Sequence, residues 1–211
     1  MIIIDKKIKV LIILSTAYVT VKLLAIVLFY KSISILGMNA ASSTLIIPFW
    51  FLLGDVITEI YGYKISRILV YIAAVYQMLF GVVLYGFAKL PSNHALNIDQ
   101  SAYNLVMHNM LQASSASVLA IIFGGISNAF LFNKCKILLS GRYFVIRSFL
   151  ATSIGELVFT IAVYAIGMFN HTNFTVLIKM VAVSFIMKVI ANNIFIIPIV
   201  FLVSYIKKII K

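Results

Sequence analysis

Apolar residues run along this chain in long blocks rather than in stripes on one helical face. Six blocks, approximately residues 10–30, 44–61, 68–88, 113–132, 148–169 and 180–205, are each of a length that crosses a bilayer core of ~30 Å as a helix. Short polar or basic segments separate them. Lys31 to Ser43, with its serines, Gly37 and Asn39, is too polar to span and reads as a loop or interfacial segment. Gly62, Tyr63, Lys64 and Arg67 read as a tight basic turn. Lys89 to Gln112 reads as the longest extramembrane loop, Asn133 to Arg147 as a short basic loop, and Asn170 to Asn173 as a turn.

Composition turns the pattern into a class. With 64% hydrophobic and 10% charged residues the chain exceeds the apolar share of soluble domains, which is nearer half. The expectation is an all-α integral membrane protein, one domain over residues 1–211, with six transmembrane helices in a compact bundle. The net charge of +12 resembles a nucleic-acid signal, but its sources sit at the edges of apolar blocks. Twelve basic residues (Lys6, Lys7, Lys9, Lys64, Arg67, Lys134, Lys136, Arg142, Arg147, Lys207, Lys208, Lys211) fall on the side of the termini, and three (Lys31, Lys89, Lys179) on the other. That asymmetry places both termini in the cytoplasm, with the bilayer rather than nucleic acid as partner. The single cysteine, Cys135, excludes an intrachain disulfide.

Candidate chemistry lies in the charges within the blocks. Lys22, Asp55, Glu156 and Lys188 would together cost roughly 10 to 14 kcal/mol if unpaired at the bilayer centre, so each must pair, neutralise or face water. Asp55 and Glu59 stand one helical turn apart and share a face. Thr152, Glu156 and Thr160 share another, and Lys188 and Asn192 a third. A structural ion pair of Lys188 with Glu156 is the plainer reading of those two residues. Counting Asp55, Glu59 and Glu156 against Lys22 and Lys188 leaves about one net negative charge, which suits a proton or a cationic substrate. Proton coupling would then fall to Asp55 and Glu156. Trp50 and Tyr61, flanking the acidic pair, would stack on a flat ring or anchor at the interface. Ser117, Gly124, Gly125 and Asn128 give the fourth block a small-residue packing face. His94 and His108 have no metal-ligand spacing. No nucleophile with its base, phosphate loop or metal cluster stands in a span, so neither an enzyme nor a cofactor or metal is expected.

The segment Asp55-Val56-Ile57-Thr58-Glu59-Ile60-Tyr61-Gly62-Tyr63-Lys64, followed by Arg67, resembles the D-x-x-T-E-x-Y-G-x-K signature of the queuosine-precursor transporters, also called vitamin uptake transporters. Gly141-Arg142-Tyr143 leading to Arg147-Ser148 and to Thr152-Ser153-Ile154-Gly155-Glu156, and Lys188 followed by Pro198, are similar to later family features. The likeness runs from about Lys9 to Lys208. Phe159 stands before Thr160 where members commonly carry an aspartate, and an acidic residue near Asn192 or Asn193 is absent. The resemblance implies a transporter in a bacterial cytoplasmic (inner) membrane that imports a 7-deazaguanine base, queuine or queuosine for tRNA modification. It implies a substrate site drawn from Trp50, Asp55, Thr58, Glu59, Tyr61, Glu156, Lys188 and Asn192, with a carboxylate accepting the paired N–H donors of the base. A homodimer is left open. Two alternatives are a substrate-capture subunit of an energy-coupling-factor vitamin importer and a non-transporting membrane scaffold.

Overall fold

The computed structural model describes residues 5–29, 31–35, 38–91, 100–168 and 174–210. Among them are six helices long and apolar enough to cross a membrane: α1 (Lys6–Phe29), α2 (Ser43–Tyr61), α3 (Tyr63–Ala88), α4 (Gln100–Leu138), α5 (Phe144–Met168) and α6 (Phe174–Ile210). Helices satisfy every backbone polar group within the segment, which a hydrocarbon solvent demands. Large apolar side chains such as Val75, Ile194 and Phe201 cover the outward surface. The chain is therefore a multi-pass membrane protein.

The spans depart from the sequence expectation at their ends. The stretch Lys89 to Gln112, expected as a loop, is helical from Gln100 onward, and α4 continues through Lys134 and Lys136 into the expected basic loop. A helix of 39 residues is about 58 Å long at 1.5 Å per residue, so it projects well beyond the hydrocarbon core. Hydropathy marks the core crossing, whereas helix propensity and packing carry the helix onward into water. The same reasoning extends α6 to 37 residues. His94 and the turn expected at Asn170 to Asn173 lie outside the described residues.

Two connections are short, one residue between α2 and α3 and five between α4 and α5. Gly62 alone joins α2 to α3, at φ 85°, a left-handed conformation that a Cβ disfavours. The expected basic turn from Gly62 to Arg67 is thus one residue followed by helix. Gly141, at φ 75°, closes the α4–α5 junction and accepts no steric penalty there. Between α1 and α2 the expected loop is a β-hairpin, β1 (Ser32–Ile35) against β2 (Met38–Ala41), with Ser32 opposite Ala41. Ser42 ties its base by donating from Oγ to the Lys31 carbonyl at 2.8 Å.

The bundle is built around α2. Its apolar window is the least hydropathic of the six, 1.5 against 1.8 to 2.3, yet 78% of that window is buried against 28 to 44% elsewhere. It touches all five other helices. A polar span gains by being central, where its side chains find partners instead of lipid. On α4, glycine sets the helix spacing: a Cβ on Gly124 would lie 2.6 Å from the Phe159 Cβ and 2.9 Å from the Gly155 carbonyl oxygen. Close backbone approach of this kind is what small residues permit in membrane bundles.

Candidate functional site

Three polar layers stack along the bundle. At the end where α1 begins and α6 finishes, Glu59 of α2 is almost fully buried and gathers three cations. Arg147 Nη1 of α5 lies 3.0 Å from Glu59 Oε2, Lys136 Nζ of α4 3.3 Å from the same oxygen, and Lys207 Nζ of α6 2.5 Å from Oε1. The Lys136 ammonium also donates to the Glu59 carbonyl at 2.6 Å, and the Tyr61 hydroxyl donates to the Lys7 carbonyl of α1 at 2.7 Å. One turn of α2 thus fastens α1, α4, α5 and α6 together. The partners differ in weight. Lys136 and Lys207 are partly exposed, and screened pairs contribute about 0 to 1 kcal/mol. The Arg147 side chain has no exposure at all, sits against the rings of Phe132 and Phe144, and donates from Nη2 to the Gly141 carbonyl at 3.0 Å. Sequence reading placed Arg147 in a basic loop; it is a buried helical residue, because Glu59 and Gly141 supply the acceptors that let a guanidinium leave water.

One turn toward the middle, Asp55 is fully buried and meets neutral donors only. Asn128 Nδ2 of α4 donates to Oδ1 at 2.8 Å, and Ser148 Oγ and Thr152 Oγ1 of α5 donate to Oδ2 at 2.5 and 3.0 Å. Hydrogen bonds to a charged acceptor contribute about 1.5–3 kcal/mol each, enough for three of them to offset the cost of burying a carboxylate. Thr58 returns its hydroxyl to the Gly54 carbonyl at 2.8 Å. Asp55 and Glu59 do share a face of α2, turned to α5 in both cases.

Beyond Asp55 the bundle opens. A cavity of about 380 Å³ lies among α1, α2, α4, α5 and α6, at the end that carries the hairpin and the first turns of α2. Its inner wall holds Lys22, Phe159, Thr160 and Lys188; its outer wall holds Thr44, Tyr164 and Ser184; α4 contributes Asn109 and Gln112 from its third and fourth turns. Lys188 Nζ donates to Thr160 Oγ1 at 2.7 Å, and Thr160 Oγ1 donates to the Glu156 carbonyl at 2.6 Å. Both ammonium groups flank one ring, Lys22 Nζ at 4.6 Å and Lys188 Nζ at 5.1 Å from the Phe159 centroid. Pro48 lacks an N–H, which deprives the Thr44 carbonyl of its usual helical donor beside the cavity.

The sequence-selected residues therefore divide. Of the eight, only Lys188 lines the cavity. Trp50 is fully buried behind Phe159, their centroids 6.2 Å apart, and stacks with Tyr18 at 5.0 Å. Glu156 and Asn192 are fully buried, and none of their side-chain oxygen or nitrogen atoms has a hydrogen-bond partner in the protein. Glu156 does not come within ion-pair distance of Lys188: among the described residues every carboxylate–cation pair closer than 4.0 Å belongs to Glu59. The expected surplus of negative charge also dissolves, since Glu59 is met by three cations and the cavity wall is cationic. Lys22, Phe159, Thr160, Tyr164 and Ser184 complete the wall. Their signal in the sequence was helical spacing: Thr160 with Tyr164 and Ser184 with Lys188 are i, i+4 pairs.

A multi-pass membrane protein with a ligand-sized internal cavity at one end and a closed ion cluster at the other has the anatomy of a solute carrier. Residues 41–203, well over half the chain, match the family described as Putative vitamin uptake transporter, and the chain belongs to that family. Membership makes the protein a membrane transporter by class and points away from an enzyme. No curated protein and no solved structure matches the chain.

Proposed function

We propose that this protein imports a queuosine precursor, a 7-deazaguanine base or its larger derivatives queuine and queuosine, across a bacterial cytoplasmic membrane to feed tRNA modification. The observation that carries this reading is the cavity, at about 380 Å³ within the range of small-molecule sites, with aromatic side chains and a few converging polar groups. A flat heterocycle would lie against Phe159, backed by Trp50, while Thr160, Tyr164, Ser184 and the Thr44 carbonyl supply donors and acceptors to its edge. The signature around Asp55 and Glu59 has a structural role in this reading: Asp55 holds α2 to α4 and α5 between the cavity and the ion cluster, and Glu59 closes the far end. The basic end faces the cytoplasm in this reading, as the positive-inside rule requires, so the cavity opens outward. Import then needs the Glu59 cluster to open while the hairpin end closes. Glu156 and Asn192, buried and without hydrogen-bond partners, lie on that route, and coupling to a proton is assigned to Glu156 rather than to the well-held Asp55.

The test is restoration of queuosine in the tRNA of cells that cannot make the base, with each candidate precursor supplied in turn. Restoration that depends on the expressed protein supports the reading. Failure with every precursor, in protein shown to reach the membrane, overturns it.

A further inference from the structure

From the hydrogen-bond wiring of the cavity wall we infer how the site selects its substrate: Thr44, Ser117 and Thr160 present acceptors of fixed polarity, which choose a flat heterocycle by its N–H groups, above all the exocyclic amine of a 2-aminolactam ring. This inference rests on the transport reading above and deepens it. The three residues line the cavity from α2, α4 and α5, and are 2%, 6% and 0% exposed.

A hydroxyl carries one proton and two lone pairs. Ser117 Oγ donates to the Ala113 carbonyl of its own helix at 2.8 Å and accepts from Nε2 of Gln77. One lone pair is left, and it can only accept. Gln77 is fully buried on α3 and does not itself line the cavity, so its part is to hold the Ser117 proton turned away. Thr160 Oγ1 is wired in the same order, donating to the Glu156 carbonyl at 2.6 Å and accepting from Lys188 Nζ at 2.7 Å. Lys188 has an N–H for that bond whether or not it carries a charge. The third acceptor is a backbone carbonyl. Pro48, four residues on, has no N–H to offer the Thr44 oxygen, which therefore lacks its usual helical partner beside the cavity.

Other polar groups on the wall adapt instead of selecting. The hydroxyls of Thr44 and Ser184 share a 3.4 Å contact in which either can donate, so each can turn to suit a ligand. A fixed acceptor cannot turn. A ligand that covers it without supplying an N–H leaves it desolvated and unpaired, and a site built to bond a substrate N–H rejects the analogue lacking it far more strongly than an apolar pocket rejects a missing methylene. A 2-aminolactam ring carries N–H groups on two adjacent positions, the ring nitrogen and the exocyclic amine. Position 7 of a 7-deazaguanine lies on the other ring and takes no part in this selection, so precursors that differ there share the site.

The experiment uses the full chain in membrane vesicles and compares uptake of two bases that both carry a nitrile at position 7, one with the 2-amino group and one with hydrogen in its place. The amino compound is expected to be taken up with an apparent affinity at least tenfold higher. A smaller ratio overturns this inference and leaves the transport reading standing. Uptake of neither compound, in protein shown to reach the membrane, overturns the transport reading itself. Ser117→Ala, Thr160→Val and Pro48→Ala, in protein that still carries the amino compound, are expected to shrink the ratio, in at least one case to about threefold or less. A ratio above threefold in all three overturns the assignment to these acceptors. Pro48→Ala also separates recognition from support of the fold, since it returns an N–H to the Thr44 carbonyl and adds a helical hydrogen bond. Its melting temperature is expected to rise while its affinity for the amino compound falls; a fall in both removes the Thr44 carbonyl from the set.

Discussion

Arg147 and Glu59 form a buried ion pair at 3.0 Å between α5 and α2, with the arginine side chain wholly out of solvent. Removing one partner from such a pair leaves the other charge uncompensated, at a cost of about 3–5 kcal/mol. Arg147→Leu and Glu59→Gln are each expected to lower the melting temperature of the purified protein by several degrees. The double variant should recover part of that loss, since it removes both charges. Lys207→Gln, at a half-exposed partner, should cost about 1 kcal/mol or less. Thermal unfolding of the four variants in one detergent checks the order.

Asp55 collects three neutral donors from two helices. Asp55→Asn retains one acceptor oxygen but presents an amide to hydroxyls that formerly donated, and is expected to destabilise by about 1–3 kcal/mol. Asp55→Ala, which orphans Asn128, Ser148 and Thr152 together, should cost more. Equal stability of the two variants would argue against the carboxylate's role as a junction between α2, α4 and α5.

Two glycines separate close packing from chain flexibility. Gly124→Ala would set a Cβ 2.6 Å from the Phe159 Cβ and 2.9 Å from the backbone oxygen of Gly155, so α4 and α5 must move apart. Overpacking of this kind costs about 1–3 kcal/mol, and displacement of Phe159 should also raise the apparent KM for uptake. Gly86→Ala meets no atom within 4 Å and should be neutral or stabilising by up to ~1 kcal/mol. Stability and uptake measured side by side check both.

Trp50 is the chain's one tryptophan and lies directly behind Phe159. Substrate stacked on Phe159 should change its intrinsic fluorescence in a saturable way, with a midpoint that follows uptake affinity. Addition of an unrelated solute should leave the emission unchanged.

Glu156 has no hydrogen-bond partner in the protein, and its neutral isostere removes the charge with little change in shape. Glu156→Gln is expected to abolish accumulation driven by a proton gradient while leaving exchange of labelled for unlabelled substrate within about threefold of the unaltered protein. Uptake that responds equally to the gradient in both proteins would remove Glu156 from coupling.

The orientation of the cavity can be read by labelling. With Cys135 replaced by serine, Gln112→Cys, at an exposed position of α4 on the cavity wall, should react with a membrane-impermeant thiol reagent applied to intact cells, and substrate should slow that reaction. Labelling only after the cells are opened would reverse the proposed orientation.

The residues by themselves determined the class of protein and the number of spans, because a hydrocarbon solvent penalises each unsatisfied polar group and leaves a long apolar block few alternatives to a helix. They also singled out Asp55, Glu59, Glu156 and Lys188, because charge within such a block stands out on energetic grounds alone. What those charges face was decided only by tertiary structure. Glu59 and Arg147 are 88 residues apart, as are Lys22 and Trp50 by 28, and no periodicity along one helix specifies its neighbour. Apparent charge balance was the most misleading sequence signal, since it summed acids and bases that the fold separates into distinct layers. Helix ends were misplaced for a simpler reason: hydropathy reports where lipid begins, and α4 and α6 continue past that boundary. Packing around α2 set the final arrangement, enclosing the acids away from the cavity and leaving two lysines on its wall.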